Sequence, residues 1–508
     1  MGDGGIRRGD SPADVENMYT APLGPPPGPP AAHGSTGRPA PRQTSGGPMP
    51  QPAAVGMADP SAPRMPHNFI LPARPSTVAE SGLELVLLEE LTLRHIVASG
   101  TINGADLAKR LHLSLAGIVE EAVNSLRRDG LVDYQSGSAN NAVLGLAAMR
   151  LRATERGTQV DRLARERSAY IGPAPVSLGA YERMLRQQAM SGRAAPRADV
   201  YHAVGHLVLG NDTIDRLGAG LESGGPILLH GPAGNGKTTI AASIARMFAG
   251  AVVVPHAVVI DGHIMRVLDP SIHRPTSLDP SAAGKLDDRW VYCQVPFVRA
   301  SIELEMHQFD LRFNRERLYY DCPLQLKAAG GVLLLDDLGT RGGSIEDVLM
   351  RCIEPLAKGI DYLTTVDGQQ IAFPFTSLVT FATSMEPAEI LTERLLRQIP
   401  CKIAIVDPTR EQFAELLRRA CQVAGVEYLH AGFEYLFDRC YARRGRALRA
   451  CHPAQLMRLL VGAARYFEMA PQLVPQLIDV AADLYFFVGS AGAPRDGVRR
   501  AAHDPDQR

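Results

Sequence analysis

The stretch Gly231-Pro232-Ala233-Gly234-Asn235-Gly236-Lys237-Thr238 constrains this chain more than any other. Its three glycines allow backbone angles that other residues avoid, so successive N–H groups can be aimed at one point. A lysine and a hydroxyl residue close the loop, completing the G-x-x-x-x-G-K-[ST] pattern of a phosphate cradle. The flanks agree: residues 226–230 read as a buried strand entering the loop, and 239–248 as a helix leaving it. A helix N-terminus at that place adds a favourable dipole for an anion. The pattern therefore assigns Gly231, Pro232, Ala233, Gly234, Asn235, Gly236, Lys237, Thr238 and Thr239 to nucleotide phosphates. Lys237 supplies a point charge to the β- and γ-phosphates, and Thr238 offers a hydroxyl to magnesium.

A second element is expected at the end of another buried strand. About 100 residues on, Gly331-Val332-Leu333-Leu334-Leu335-Asp336-Asp337 places two carboxylates after a run of apolar residues. Asp336 is expected to hold magnesium, and Asp337 to orient or deprotonate an attacking water.

At 508 residues, 45% hydrophobic and 21% charged, the chain is long enough for about three domains. Lys+Arg at 53 against Asp+Glu at 54 excludes a globally basic nucleic-acid coat, so any such binding needs a local patch. The seven cysteines include no C-x-x-C pair and no histidine at zinc spacing, which reads as reduced thiols. No apolar signal segment and no apolar run of about 18 residues is seen, so a cytoplasmic protein without a membrane partner is expected.

Residues 1–78 hold 17 of the 38 prolines and few large apolar groups, and are expected to form a disordered tail. Residues 489–508 read as a flexible tail. Between 79 and 167, Leu83, Leu87, Leu91 and Ile96 mark a helix, Asn103 caps a second, and Ser114 caps a third. The third buries Ile118, Val119, Ala122, Val123 and Leu126, and strands follow at 131–135 and 149–153. This order resembles a winged helix-turn-helix, an α+β module that many DNA-binding regulators use. Its third helix, however, begins with Leu115, Ala116, Gly117, Glu120 and Glu121, which offer no arginine, lysine, asparagine or glutamine to read bases, and the two carboxylates would repel phosphates. Arg127 and Arg128 end that helix and Arg150, Arg152 and Arg156 lie near the flap, so protein docking, DNA binding and a passive structural role all stay open. Residues 168–198 read as a linker, and 259–305 as extra loops.

Together, 231–238 and 333–337 resemble the AAA+ ATPases. The lead at 207–231 and the phrase Leu324-Gln325-Leu326-Lys327-Ala328-Ala329-Gly330-Gly331 are similar to MoxR-type members and to bacterial predicted ATPases with chaperone activity. The resemblance implies an α/β P-loop NTPase (AAA+) core with a parallel sheet over 199–405 and a helical lid over 406–488. It also implies ATP and Mg2+ as ligands and a ring homo-oligomer such as a hexamer. A hairpin from 362–366 and 369–373, turning at Asp367-Gly368, precedes a buried strand at 378–382; in that group such hairpins commonly face the ring opening and touch the client.

Residue by residue, Ser384 stands where asparagine usually reads the γ-phosphate, and Asp337 where glutamate is usual. Arg397, ahead of Arg394, is placed to reach the neighbouring subunit's site. The usual lid-sensor position is Ala454, leaving Arg449, Arg446 or Arg458, with Arg449 preferred. The function implied is ATP-driven, chaperone-like remodelling of a macromolecular client, protein ahead of DNA. A DNA-directed ATPase or transcription regulator and a slow nucleotide switch are the alternatives.

Overall fold

The computed structural model describes residues 70–486 apart from 136–144, 192, 249, 279–283, 302–304 and 339–344. The chain divides into Met1–Asp59 and Pro60–Arg508, and every described residue belongs to the second unit. The disorder expected over 1–69 and the tail at 489–508 lie outside the described residues.

Five apolar segments build the central sheet: β1 (Ile227–His230), β2 (Phe297–Ala300), β3 (Val332–Leu335), β4 (Leu378–Thr383) and β5 (Cys401–Ala404). All neighbours run parallel, in the order β2-β3-β4-β1-β5. Ile227, Leu229, Val332 and Leu334 pack on one face with Ile240 and Ile244 of the helix Lys237–Met247. Leu228, Leu333, Leu335 and Phe381 pack on the other with Leu349 and Ile353 of the helix Ile345–Lys358. A sheet covered on both faces needs such continuous apolar runs. Because every strand points the same way, the chain leaves β1, β3 and β4 at one edge. This is an α/β P-loop NTPase core.

The stretch expected as extra loops is instead divided: Phe297–Ala300 is β2, Trp290–Gln294 pairs with Ala251–Pro255, and residues 259–266 enter a second five-stranded sheet. Its order is Arg312–Asn314, Tyr319–Asp321, His263–Arg266, Ala257–Ile260, Val176–Ser177, with mixed directions. The edge strand Val176–Ser177 comes from the stretch read as a linker at 168–198, and that reading is corrected. Helix Leu178–Gln187 follows and buries Tyr181, Met184 and Leu185 against the new sheet. Apolar residues at helical spacing outweighed the glycine and prolines at 172–175. The hairpin forms as Ile360–Thr364 with Gln370–Pro374, turning through Gly368 at φ 83°. Its Leu363 and Phe373 join the second sheet's core, and the Val366 N–H donates to the Tyr320 hydroxyl at 2.9 Å.

The N-terminal module has helices Leu85–Ser99, Gly104–Leu111, Glu120–Arg128 and Glu155–Arg165. Three short strands join them, with Arg150–Ala153 between Ile102–Asn103 and Val132–Tyr134. Asn103 caps its helix as expected, accepting the Asp106 N–H at 2.7 Å. Ser114 does not cap the third. Ala116 and Gly117 are non-helical, the helix starts at Glu120, and the Ser114 hydroxyl donates to Pro75 O at 2.9 Å. Gly117 permits this approach, since a Cβ there would lie 2.2 Å from Ser76 O.

Residues 70–78, assigned by sequence to the tail, are therefore packed: Ala73 bridges Leu286, and Arg74 pairs with Asp288 at 2.7 Å. The module shares its core with Ala257, Ile264 and Tyr319 of the second sheet. The lid comprises Arg410–Ala424, His430–Phe437, His452–Tyr466 and Pro475–Tyr485 around Phe413, Leu417, Leu456, Leu460 and Leu477. Thr409 and Gln412 form a capping box at its start. Among the described residues no helix is long and apolar enough to cross a membrane.

Candidate functional site

The loop between β1 and its helix needs its first glycine. Gly231 has φ 134°, and a Cβ there would lie 2.3 Å from Ile405 O. Pro232 is half-buried, and Ala233 and Gly234 stand exposed at the crest. Gly236 is the N-cap of the helix Lys237–Met247, whose first turn holds Thr238 and Thr239. Lys237 is buried and folds back on its own loop, donating to Gly231 O at 2.8 Å and Pro232 O at 3.1 Å. Burial pushes its pKa down most; Asp336 and Asp337 oppose this, and the Arg449 charge adds to the fall.

Asp336 emerges from β3 directly below this loop and is 4% exposed. Its Oδ2 accepts from the Thr238 hydroxyl at 2.6 Å and from Arg299 Nε at 3.0 Å, while Oδ1 accepts the Asp337 N–H at 3.1 Å. Asp337 takes a left-handed backbone, φ 57°, which costs a non-glycine residue about 1 kcal/mol. Strain of this kind clusters at functional turns. The donor set fits magnesium and a nucleotide: a hydroxyl and a carboxylate oxygen suit a hard cation. A glycine cradle, a lysine and a helix N-terminus suit phosphates.

Ser384 follows β4, which lies between β1 and β3, so it leaves the sheet between the loop and the two acids. The buried Thr383 before it donates to Leu338 O at 2.8 Å and pins that edge. Arg449 joins the cluster from the lid by pairing with Asp407. Arg446 instead donates to Cys440 O and lies 3.6 Å over the Phe486 ring, inside the lid. Arg458 is exposed on the helix His452–Tyr466. Arg394 and Arg397 are exposed on the helix Glu393–Gln398, where Arg397 pairs with Glu393.

Sequence reasoning missed Arg299 and Asp407. Arg299 faces Leu334, two residues before Asp336, across the β2–β3 register. The available signal was a single charge inside the apolar run Phe297-Val298-Arg299-Ala300. Asp407 sits where the chain passes from β5 to the lid, and no local pattern marks it.

One family model, described as "Domain of unknown function (DUF8689)", matches residues 409–484, the lid. No curated protein matches the chain. Among solved structures, a Thermotoga maritima RuvB mutant is 14% identical with TM-score 0.34, covering 55% of this chain and 71% of that one. The structure titled as the Thermotoga maritima RuvB Holliday junction branch migration motor is 16% identical with TM-score 0.33, covering 58% and 72%. The fold assignment rests on the strand order and the phosphate loop.

Proposed function

We propose that this chain is an AAA+ ATPase that binds ATP with Mg2+ at residues 231–239 and hydrolyses it as a ring homo-oligomer. The cycle would drive remodelling of a macromolecular client, protein ahead of nucleic acid. The observation that carries this reading is the Thr238–Asp336 hydrogen bond, which joins the glycine loop to an acid 98 residues away. Magnesium, when bound, neutralises phosphate charge during hydrolysis. Thr238 and Asp336 would hold it, Lys237 would bind the phosphates, and Asp337 would take a proton from the attacking water. Ser384 would donate a hydrogen bond toward the terminal phosphate. Arg397 would act on the adjoining subunit's site.

A protein client is favoured because residues 75–76 lie across the start of the module's third helix, where a reading helix would enter DNA. The exposed Arg150 and Arg152 favour a second reading, a DNA-directed ATPase. Calorimetry and phosphate release on the full chain test the ATP reading: magnesium-dependent ATP affinity must fall about 100-fold in Lys237→Ala, and turnover must fall in Asp337→Asn. Binding without turnover would leave the switch. A steep loss of DNA affinity with salt would support the second reading.

A further inference from the structure

We infer that Asp407 holds the lid arginine Arg449 away from the phosphates until a triphosphate occupies the loop, which makes Asp407 a positioning residue that sets the preference for ATP over ADP. This rests on the ATP reading above.

Asp407 Oδ1 is shared. It accepts from the Asn235 amide at 2.7 Å and from the Arg449 guanidinium. Asn235 belongs to the phosphate loop and is 5% exposed, and its Oδ1 accepts the Ala450 N–H at 3.1 Å. The next residue, Cys451, donates its N–H to Gly234 O at 2.9 Å. Its sulfur lies 2.6 Å from where a Gly234 Cβ would stand. Residues 449–451, at the head of the helix His452–Tyr466, are thus bonded to the loop by two backbone N–H groups and one shared carboxylate.

These contacts differ in kind. The bonds from Ala450 and Cys451 involve neutral partners and hold the lid against the loop. The Arg449–Asp407 contact is an ion pair whose side chains are 27% and 35% exposed, so water partly screens it. A terminal phosphate carries more charge than a carboxylate and accepts a guanidinium through two parallel bonds. Arg449 therefore changes partner when a γ-phosphate is present and stays with Asp407 when it is not. The Arg449 Cβ lies 3.9 Å from where a Gly234 Cβ would stand, so its side chain starts beside the phosphate loop. Throughout the exchange, Asn235 keeps the lid docked.

The test measures binding of a non-hydrolysable ATP analogue and of ADP to the full chain, with magnesium, by calorimetry. Asp407→Asn keeps the shape and removes the charge, and should tighten the ATP analogue about fivefold while changing ADP less than about twofold. Arg449→Ala should weaken the analogue and spare ADP. In the double variant the gain from Asp407→Asn should disappear. Equal tightening of both nucleotides, or a gain that survives Arg449→Ala, overturns the inference. If Asp407→Asn does not fold, Arg449→Ala decides alone, since equal effects on both nucleotides would refute it. Failure of the ATP reading itself shows separately, as wild-type protein that binds neither nucleotide.

Discussion

The central sheet is parallel throughout and covered by helices on both faces, whereas the sheet beside it is mixed and drawn from separate stretches at 176–177, 257–266 and 312–321. Their loops behave differently as a result. Parallel strands send 231–238, 336–337 and 384 to one edge, where a hydroxyl, two carboxylates and a lysine converge. Mixed strands send their turns to both edges. What the second sheet gathers is apolar surface: the helix Leu178–Gln187, the hairpin and the N-terminal module all pack on it. The candidate site is gathered on one sheet and attachment on the other.

The strongest way to break that division is Phe373→Ala, which empties a fully buried site in the second sheet's core. It should cost about 3–5 kcal/mol in denaturant unfolding, while the folded fraction keeps its ATP affinity. Lys237→Ala should do the opposite. Loss of about 3 kcal/mol of charge-assisted phosphate contact weakens ATP about 100-fold in calorimetry, while loss of the lysine's two bonds to the loop lowers nucleotide-free stability far less than Phe373→Ala does. If either variant moved both readouts equally, the two sheets would be one functional unit.

A smaller effect is expected at Arg299, whose guanidinium sits on the same Asp336 oxygen as the Thr238 hydroxyl. Arg299→Gln removes a positive charge from the proposed magnesium position. It should lower the magnesium concentration needed for ATP binding by about threefold, read by titrating magnesium at fixed nucleotide.

The smallest effect concerns pH at the seam between the module and the second sheet. Burial, aided by the neighbouring His112, lowers the pKa of His256 from 6.5 to about 4. The ring edge-packs on His112 with centroids 4.7 Å apart. The unfolded chain binds this proton more readily, so stability is full above pH 6.5 and falls as pH drops toward 4. His256→Gln should shrink the fall in Tm between pH 7 and pH 4.5 by a few degrees, about 1 kcal/mol after discounting for solvent. Nucleotide affinity at pH 7 should not change.

Much of the candidate site's layout was legible because its signals are local. Eight consecutive residues specify the loop, and Leu333-Leu334-Leu335-Asp336-Asp337 announces both a strand and the acids that end it. The hairpin was legible too, from Asp367-Gly368, with strands shifted by one or two residues. The linker reading failed because glycine and proline at 172–175 were weighed above the apolar spacing of the helix that follows. The Ser114 cap failed because its hydroxyl found Pro75, a contact 39 residues away that no helical rule includes.

The sequence by itself determined that a glycine loop between strand and helix, an acidic strand end and a C-terminal helical bundle exist, since each is a short-range pattern of backbone freedom, burial and charge. The tertiary structure alone decided that Arg299 shares Asp336 with Thr238, that Asp407 ties Arg449 to Asn235, and that a supposed linker completes a second sheet. Those contacts join residues 37 to 172 positions apart. Their partners are selected by how whole elements pack, which no local window of residues contains.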